Sequence, residues 1–213
     1  MITVIPTLIT ANPHIAKDKL VSLSGTFPWV QLDIIDGVFC GNKTLQIKDY
    51  LNIPHLSSFK TDIHLMVREP VNFIADCRKI GAKRIIGQIE LMTDQKLFVQ
   101  RVKQKKILVC LAVDLPTPLA KLNFNLLPDL DVVLLMSVKA GRGGQAFSKD
   151  VLTKTRNLAK IKEENKLTFK IAVDGGINPK TAKTAYKAGV EIFYVGSFLD
   201  KNPKEGLEKL KNG

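Results

Sequence analysis

The chain has 213 residues, 45% of them hydrophobic, which suits one substantial core and a single domain over 1–213. No apolar run approaches the roughly 20 residues that a membrane-spanning helix needs, and the opening stretch MITVIPTLITANP reads as a strand rather than a secretory leader. The net charge of +12, from 26 Lys and six Arg, is spread along the chain without a basic tail or an aromatic-interleaved patch, which argues against nucleic acid and membrane as partners.

Strand-like runs recur at regular intervals: Thr3–Ile9, Val30–Ile35, Thr61–Met66, Arg84–Glu90, Ile107–Val113, Val132–Ser137, Phe169–Val173 and Ile192–Val195. They are almost continuously apolar, as parallel strands buried on both faces are. A helical pattern is expected after each, most clearly over Val71–Ile80, Thr93–Lys105, Lys149–Asn165 and Pro179–Ala188. Phe73, Ile74, Cys77 and Ile80 share one face of the first, which Gly81 ends. Eight strand–helix repeats in this length predict an α/β fold, a single (β/α)8 TIM barrel. An open doubly wound sheet would need a topological switch point, and no stretch marks one.

Polar residues interrupt the runs near one end: Thr7, Gln31, Asp33, Asp36, His64, Gln88, Glu90, Asp114, Asp174 and Ser197. Charge inside an apolar strand is costly to bury unpaired, so a ring of such groups where all strand C-termini converge predicts a ligand site. The stretch Lys170–Ser197 is the most informative. A strand ends in Asp174-Gly175-Gly176, and Asn178 caps a helix with Pro179 at its first position. Ala182, Ala185, Tyr186 and Ala188 form its expected packing face, Gly189 ends it, and the next strand finishes in Gly196-Ser197. A crossover sets the two strand ends side by side, and their glycine-rich backbone suits a phosphate. Cys40, Cys77 and Cys110 are scattered and odd in number, which indicates a reduced, cytoplasmic setting.

Five stretches carry a family resemblance. Trp29–Gly37, WVQLDIIDG, resembles the WxHxDxMDG strand of ribulose-phosphate 3-epimerases, and Asp62–Val67, DIHLMV, is similar to their third-strand motif. Ser137–Phe147, SVKAGRGGQAF, resembles their SVNPGFGGQxF phosphate loop, with VDGG at Val173–Gly176 and VGS at Val195–Ser197 completing the order. The resemblance implies an isomerase of carbohydrate metabolism and the pentose phosphate pathway. It would epimerise D-ribulose 5-phosphate to D-xylulose 5-phosphate at C3 through an enediolate, with no organic cofactor. Inversion needs one group to take a proton and another to return one from the opposite face. The resemblance assigns these roles to Asp33 and Asp174, set across the barrel mouth, and the substrate and its phosphate to Thr7, His64, Gly141, Arg142, Gly143, Gly144, Gly175, Gly176, Gly196 and Ser197. Family members are commonly oligomeric, so a homo-oligomer is expected.

The chain departs from the family at the metal. Asp33, His64 and Asp174 match three of four ligands for a divalent ion (Zn, Mn, Fe or Mg), but Gln31 replaces a histidine, Ile35 a methionine, and Gln88-x-Glu90 a His-x-Glu. An amide oxygen is a poor substitute for imidazole on zinc, so a weakened or empty metal site is expected. In the phosphate loop Arg142 replaces Phe, Lys139 replaces Asn, and Ala140 replaces a Pro that would restrain the backbone. Two rivals stay open: another phosphosugar epimerase or isomerase, and a non-catalytic barrel that kept its phosphate site.

Overall fold

A computed structural model describes residues 2–212. Eight parallel strands close a barrel in sequence order: β1 Thr3–Leu8, β2 Trp29–Ile35, β3 Lys60–Met66, β4 Arg84–Gln88, β5 Leu108–Val113, β6 Val132–Met136, β7 Lys170–Asp174 and β8 Ile192–Val195. The expected strands all form, with ends moved by one or two residues. Period-two alternation sorts each strand between two layers. Leu32, Ile34, Ile63, Leu65, Val109, Leu111, Val133, Leu135, Ile171 and Val173 belong to the core shared with the outer helices. Ile5, Ile35, Met66, Ile86, Cys110, Leu134, Ala172 and Tyr194 fill the interior cluster.

The α-helices are α1 Pro13–Leu23, α2 Ile74–Lys79, α3 Gln95–Gln104, α4 Asp150–Glu164, α5 Pro179–Lys187 and α6 Pro203–Asn212. Asn178 caps α5 as expected, its side chain accepting from the Thr181 N–H, and Gly81 and Gly189 sit at positive φ just past helix ends. Tyr186 does not join the packing face of α5; it is 53% exposed, while Ala182, Ala185 and Ala188 are buried. Two crossovers lack the expected α-helix. After β2 the chain makes the short 3-10 turns Ile47–Asn52 and Leu56–Ser58, and after β5 the turns Leu119–Lys121 and Phe124–Asp129. Prolines at 54, 116, 118 and 128 remove N–H donors and keep these segments to one or two turns.

Low in the barrel lies a buried polar group that the sequence patterns did not separate from the apolar runs. Arg84 Nη1 donates to Tyr194 Oη at 3.0 Å, and Tyr194 Oη donates to Asp62 Oδ2 at 2.7 Å. The guanidinium centre lies 4.9 Å from the Trp29 ring centroid. Arg84→Met leaves Asp62 buried without its cation and is expected to cost about 3–5 kcal/mol in urea unfolding. Adding Asp62→Leu removes the stranded charge and should recover most of that loss; no recovery would show that Asp62 is not what the arginine compensates.

Candidate active site

The polar ring gathers at the C-terminal mouth because inward positions of neighbouring strands fall level there: Thr7 with Gln31, Asp33 with His64, and Met136 with Asp174. Gln31 Nε2 donates to Asp33 Oδ1 and to Asp174 Oδ2, both at 2.8 Å. Asp33 Oδ1 also meets His64 Nδ1 at 3.2 Å. Ligand atoms of Asp33, His64 and Asp174 lie within 4.8 Å of one another. One amide therefore links the two carboxylates, which come from β2 and β7. Each keeps a second oxygen, Asp33 Oδ2 and Asp174 Oδ1, that takes no side-chain donor among the described residues.

Electrostatics follow from this packing. Burial, then the charge of Asp33, pushes the Asp174 carboxyl up, against opposing contributions from His64 and Gln31. Burial acts to lower His64, but its hydrogen bond to Asp33 and the charges of Asp33 and Asp174 outweigh it and raise the imidazole. Gln31 Oε1 is buried with no partner. Three convergent ligand atoms and this orphaned oxygen fit a hard divalent ion. The amide nitrogen, however, stands between the two carboxylates, so an ion that used both would have to displace this donor.

A cavity of about 690 Å³ opens above the pair, lined by Thr7, Asp33, His64, Met66, Met136 and Asp174, and by Gly141–Gly144, Gly175, Gly176, Gly196 and Ser197. Every residue assigned from sequence to the substrate or its phosphate reaches this one cavity. Among the described residues, the backbone N–H groups of Gly143, Gly144, Gly176 and Ser197 have no protein acceptor, which leaves them for an anion. Gln145 holds the loop from inside, its Nε2 donating to the carbonyls of Lys139 and Arg142 at 2.8 Å each. Arg142 lines the cavity and Lys139 does not.

Other members of the ring stand elsewhere. Asp36 lies outside the cavity and braces the loop after β2, accepting from the N–H groups of Val38, Phe39 and Arg68. Gln88 and Glu90 form an outer layer: His64 Nε2 meets Gln88 Oε1 at 3.1 Å, and Gln88 Nε2 donates to Glu90 Oε2 at 3.0 Å. Ala140 is not loose as its replacement of a proline suggested, because its N–H donates to Asp114 Oδ1 at 2.8 Å. A proline has no such donor. Sequence reasoning missed Met66, Met136 and, on α1, Ile15, Asp18, Lys19 and Ser22, which extend the cavity outward. For the four on α1 helical spacing was the available signal, but it is shared by ordinary packing faces.

The model of the Ribulose-phosphate 3 epimerase family matches residues 3–199. A ribulose-phosphate 3-epimerase of Mycobacterium bovis is 31% identical over 193 residues, covering 90% of this chain and 83% of its own length. That of Bacillus subtilis is 29% identical over 199 residues, covering 92% and 91%. Among solved structures, 3-keto-L-gulonate-6-phosphate decarboxylase from Vibrio cholerae is similar with a TM-score of 0.70 over 99% of this chain and 96% of its own. Phosphoribosyl anthranilate isomerase from Thermus thermophilus gives 0.62 over 98% and 96%. At 11% and 14% identity these two likenesses concern the fold alone.

Proposed function

The chain belongs to the ribulose-phosphate 3-epimerase family, and from that premise we propose that it is an epimerase inverting C3 of a ketose phosphate, interconverting D-ribulose 5-phosphate and D-xylulose 5-phosphate. The observation that carries this reading is a pair of carboxylates joined by one amide beneath a cavity whose far side is glycine backbone. The phosphate is assigned to the N–H groups of Gly143, Gly144, Gly176 and Ser197, with Arg142 adding charge. So anchored, the sugar lies over Asp33 and Asp174.

In one direction Asp33 Oδ2 takes the C3 proton and Asp174 returns one to the opposite face; the reverse reaction exchanges their roles. The raised proton affinity of Asp174 suits it to donate. The His64 imidazole sets a polar group beside the developing enediolate, and Gln31 Nε2, both of whose protons go to the carboxylates, holds the pair in place. A divalent ion held by Asp33, His64 and Asp174 would add Lewis-acid stabilisation of that charge.

The test is turnover of D-ribulose 5-phosphate in ²H₂O, where xylulose 5-phosphate should form with deuterium at C3. Absence of both inversion and exchange would instead support a non-catalytic phosphate-binding barrel. The Gln31 bridge between the carboxylates is what keeps that second reading open.

Gln31 also sets an expectation for the metal. Its nitrogen already satisfies both carboxylates, so zinc should be held weakly. Gln31→His replaces this donor with an imidazole ligand and should raise zinc affinity by at least about 10-fold, measured by competition with a chromophoric chelator. Stoichiometric, tightly bound zinc in the wild-type protein would overturn this account of Gln31.

A further inference from the structure

The site's hydrogen bonds continue past His64 in a chain whose direction is set by one residue. Glu90, on the loop leaving β4, accepts from the Asp114 backbone N–H through Oε1 at 2.8 Å and from Gln88 Nε2 through Oε2 at 3.0 Å. A carboxylate only accepts. Gln88 must therefore present its nitrogen to Glu90 and its oxygen, Oε1, to His64 Nε2 at 3.1 Å. The imidazole is then obliged to donate from Nε2, while Asp33 Oδ1, likewise a carboxylate oxygen, accepts from Nδ1. On the other side Asp114, held by Glu90, accepts the Ala140 N–H at the root of the glycine loop.

We infer that Gln88 and Glu90 are positioning residues that fix the hydrogen-bond polarity of His64 on its outer side: Nε2 donates outward to Gln88, while Nδ1 donates to Asp33. The ring is buried, 0% exposed, and both of its nitrogens have side-chain partners. The effect of this polarity on turnover rests on the epimerase reading; the polarity itself does not.

Exchanging the two residue types tests the relay. Glu90→Gln keeps the shape, and its oxygen stays on the fixed Asp114 N–H, so its amide nitrogen faces Gln88 Nε2, donor against donor. Gln88 is expected to turn over, present its nitrogen to His64, and force Nε2 to accept. Combining Glu90→Gln with Gln88→Glu places the carboxylate at position 88 and the amide at position 90. Every donor then meets an acceptor again, with the net charge unchanged.

Long-range ¹H–¹⁵N NMR of the three histidines reads this directly, since His14 and His55 are exposed and His64 is buried. Nε2 of His64 should carry a proton in the wild type, lose it in Glu90→Gln and regain it in the double variant. Turnover of ribulose 5-phosphate should fall by about 10–100-fold in the single variant and return to within about threefold in the double. A merely structural role for Glu90 would give no recovery on exchanging the pair. A His64 Nε2 without a proton in the wild type, or a double variant no better than the single, overturns the inference. Should Glu90→Gln fail to fold, Gln88→Leu removes the acceptor for His64 together with the donor to Glu90. Nε2 should then lose its proton, Nδ1 keeping the one it gives to Asp33, and a protonated Nε2 there would overturn the inference. If the wild type proves inactive, the epimerase reading fails while the NMR comparison still decides the relay.

Discussion

Asp33→Asn and Asp174→Asn should each lower C3 inversion by about 10²–10⁴-fold, the usual range for loss of a general acid–base group. The substitution is close to isosteric. In either variant the remaining side-chain oxygen can still accept from Gln31 Nε2, so the bridge survives and only the proton-carrying group is lost. The two variants should nevertheless differ from a dead site. With one carboxylate left, that face of the substrate keeps its base, and the C3 proton should still exchange with solvent. In ²H₂O, ¹H NMR should show loss of the C3 signal, without accumulation of the other epimer, only from the epimer whose C3 proton faces the remaining carboxylate: ribulose 5-phosphate in one variant and xylulose 5-phosphate in the other. Near-normal epimerisation by either variant would remove that aspartate from the proposed role.

Gly176→Val should raise KM for the phosphosugar by about 10²-fold, the scale expected when an anchoring element moves by an ångström or so. Gly176 has φ +60°, a region that β-branched residues avoid. A Cβ there would run into the Phe147 backbone and come within 2.9 Å of the Ala146 carbonyl carbon. Backbone cannot step aside as a side-chain tip can. The downstream end of the glycine loop must shift, carrying Gly143 and Gly144 with it. The loss therefore arises through displacement of the loop, not through a side chain blocking the anion directly. The substitution leaves the strand and helix members of both apolar cores unchanged, so circular dichroism should show a folded barrel. Gly143→Ala is the control, since its Cβ would meet only Ile9 Cγ2, at 3.4 Å. Unchanged affinity in Gly176→Val would mean that the phosphate binds elsewhere.

Much of this protein is written in local pattern. Near-continuous apolar runs at regular spacing indicate parallel strands covered on both faces, and eight of them close a barrel. Within each strand, alternation alone places Asp33, His64 and Asp174 on the inward side, at the end where strand C-termini meet. The glycine pairs after β7 and β8 likewise announce a close approach of backbone to a ligand.

Other features depended on the closed barrel. Alternation assigns a residue to a face but not to a level, because the level depends on the register between strands. Asp36 and Glu90 therefore looked equivalent in the chain, yet one braces a loop and the other terminates a hydrogen-bond relay from His64. Asp62 and Arg84 lie on neighbouring strands, but only closure brings Tyr194 from β8 between them. Gln31 reads in sequence as a lost metal ligand. In the folded protein its amide joins Asp33, two residues away, to Asp174, 143 residues away. The direction of an amide is set by what its neighbours can donate or accept, and those neighbours come from other strands.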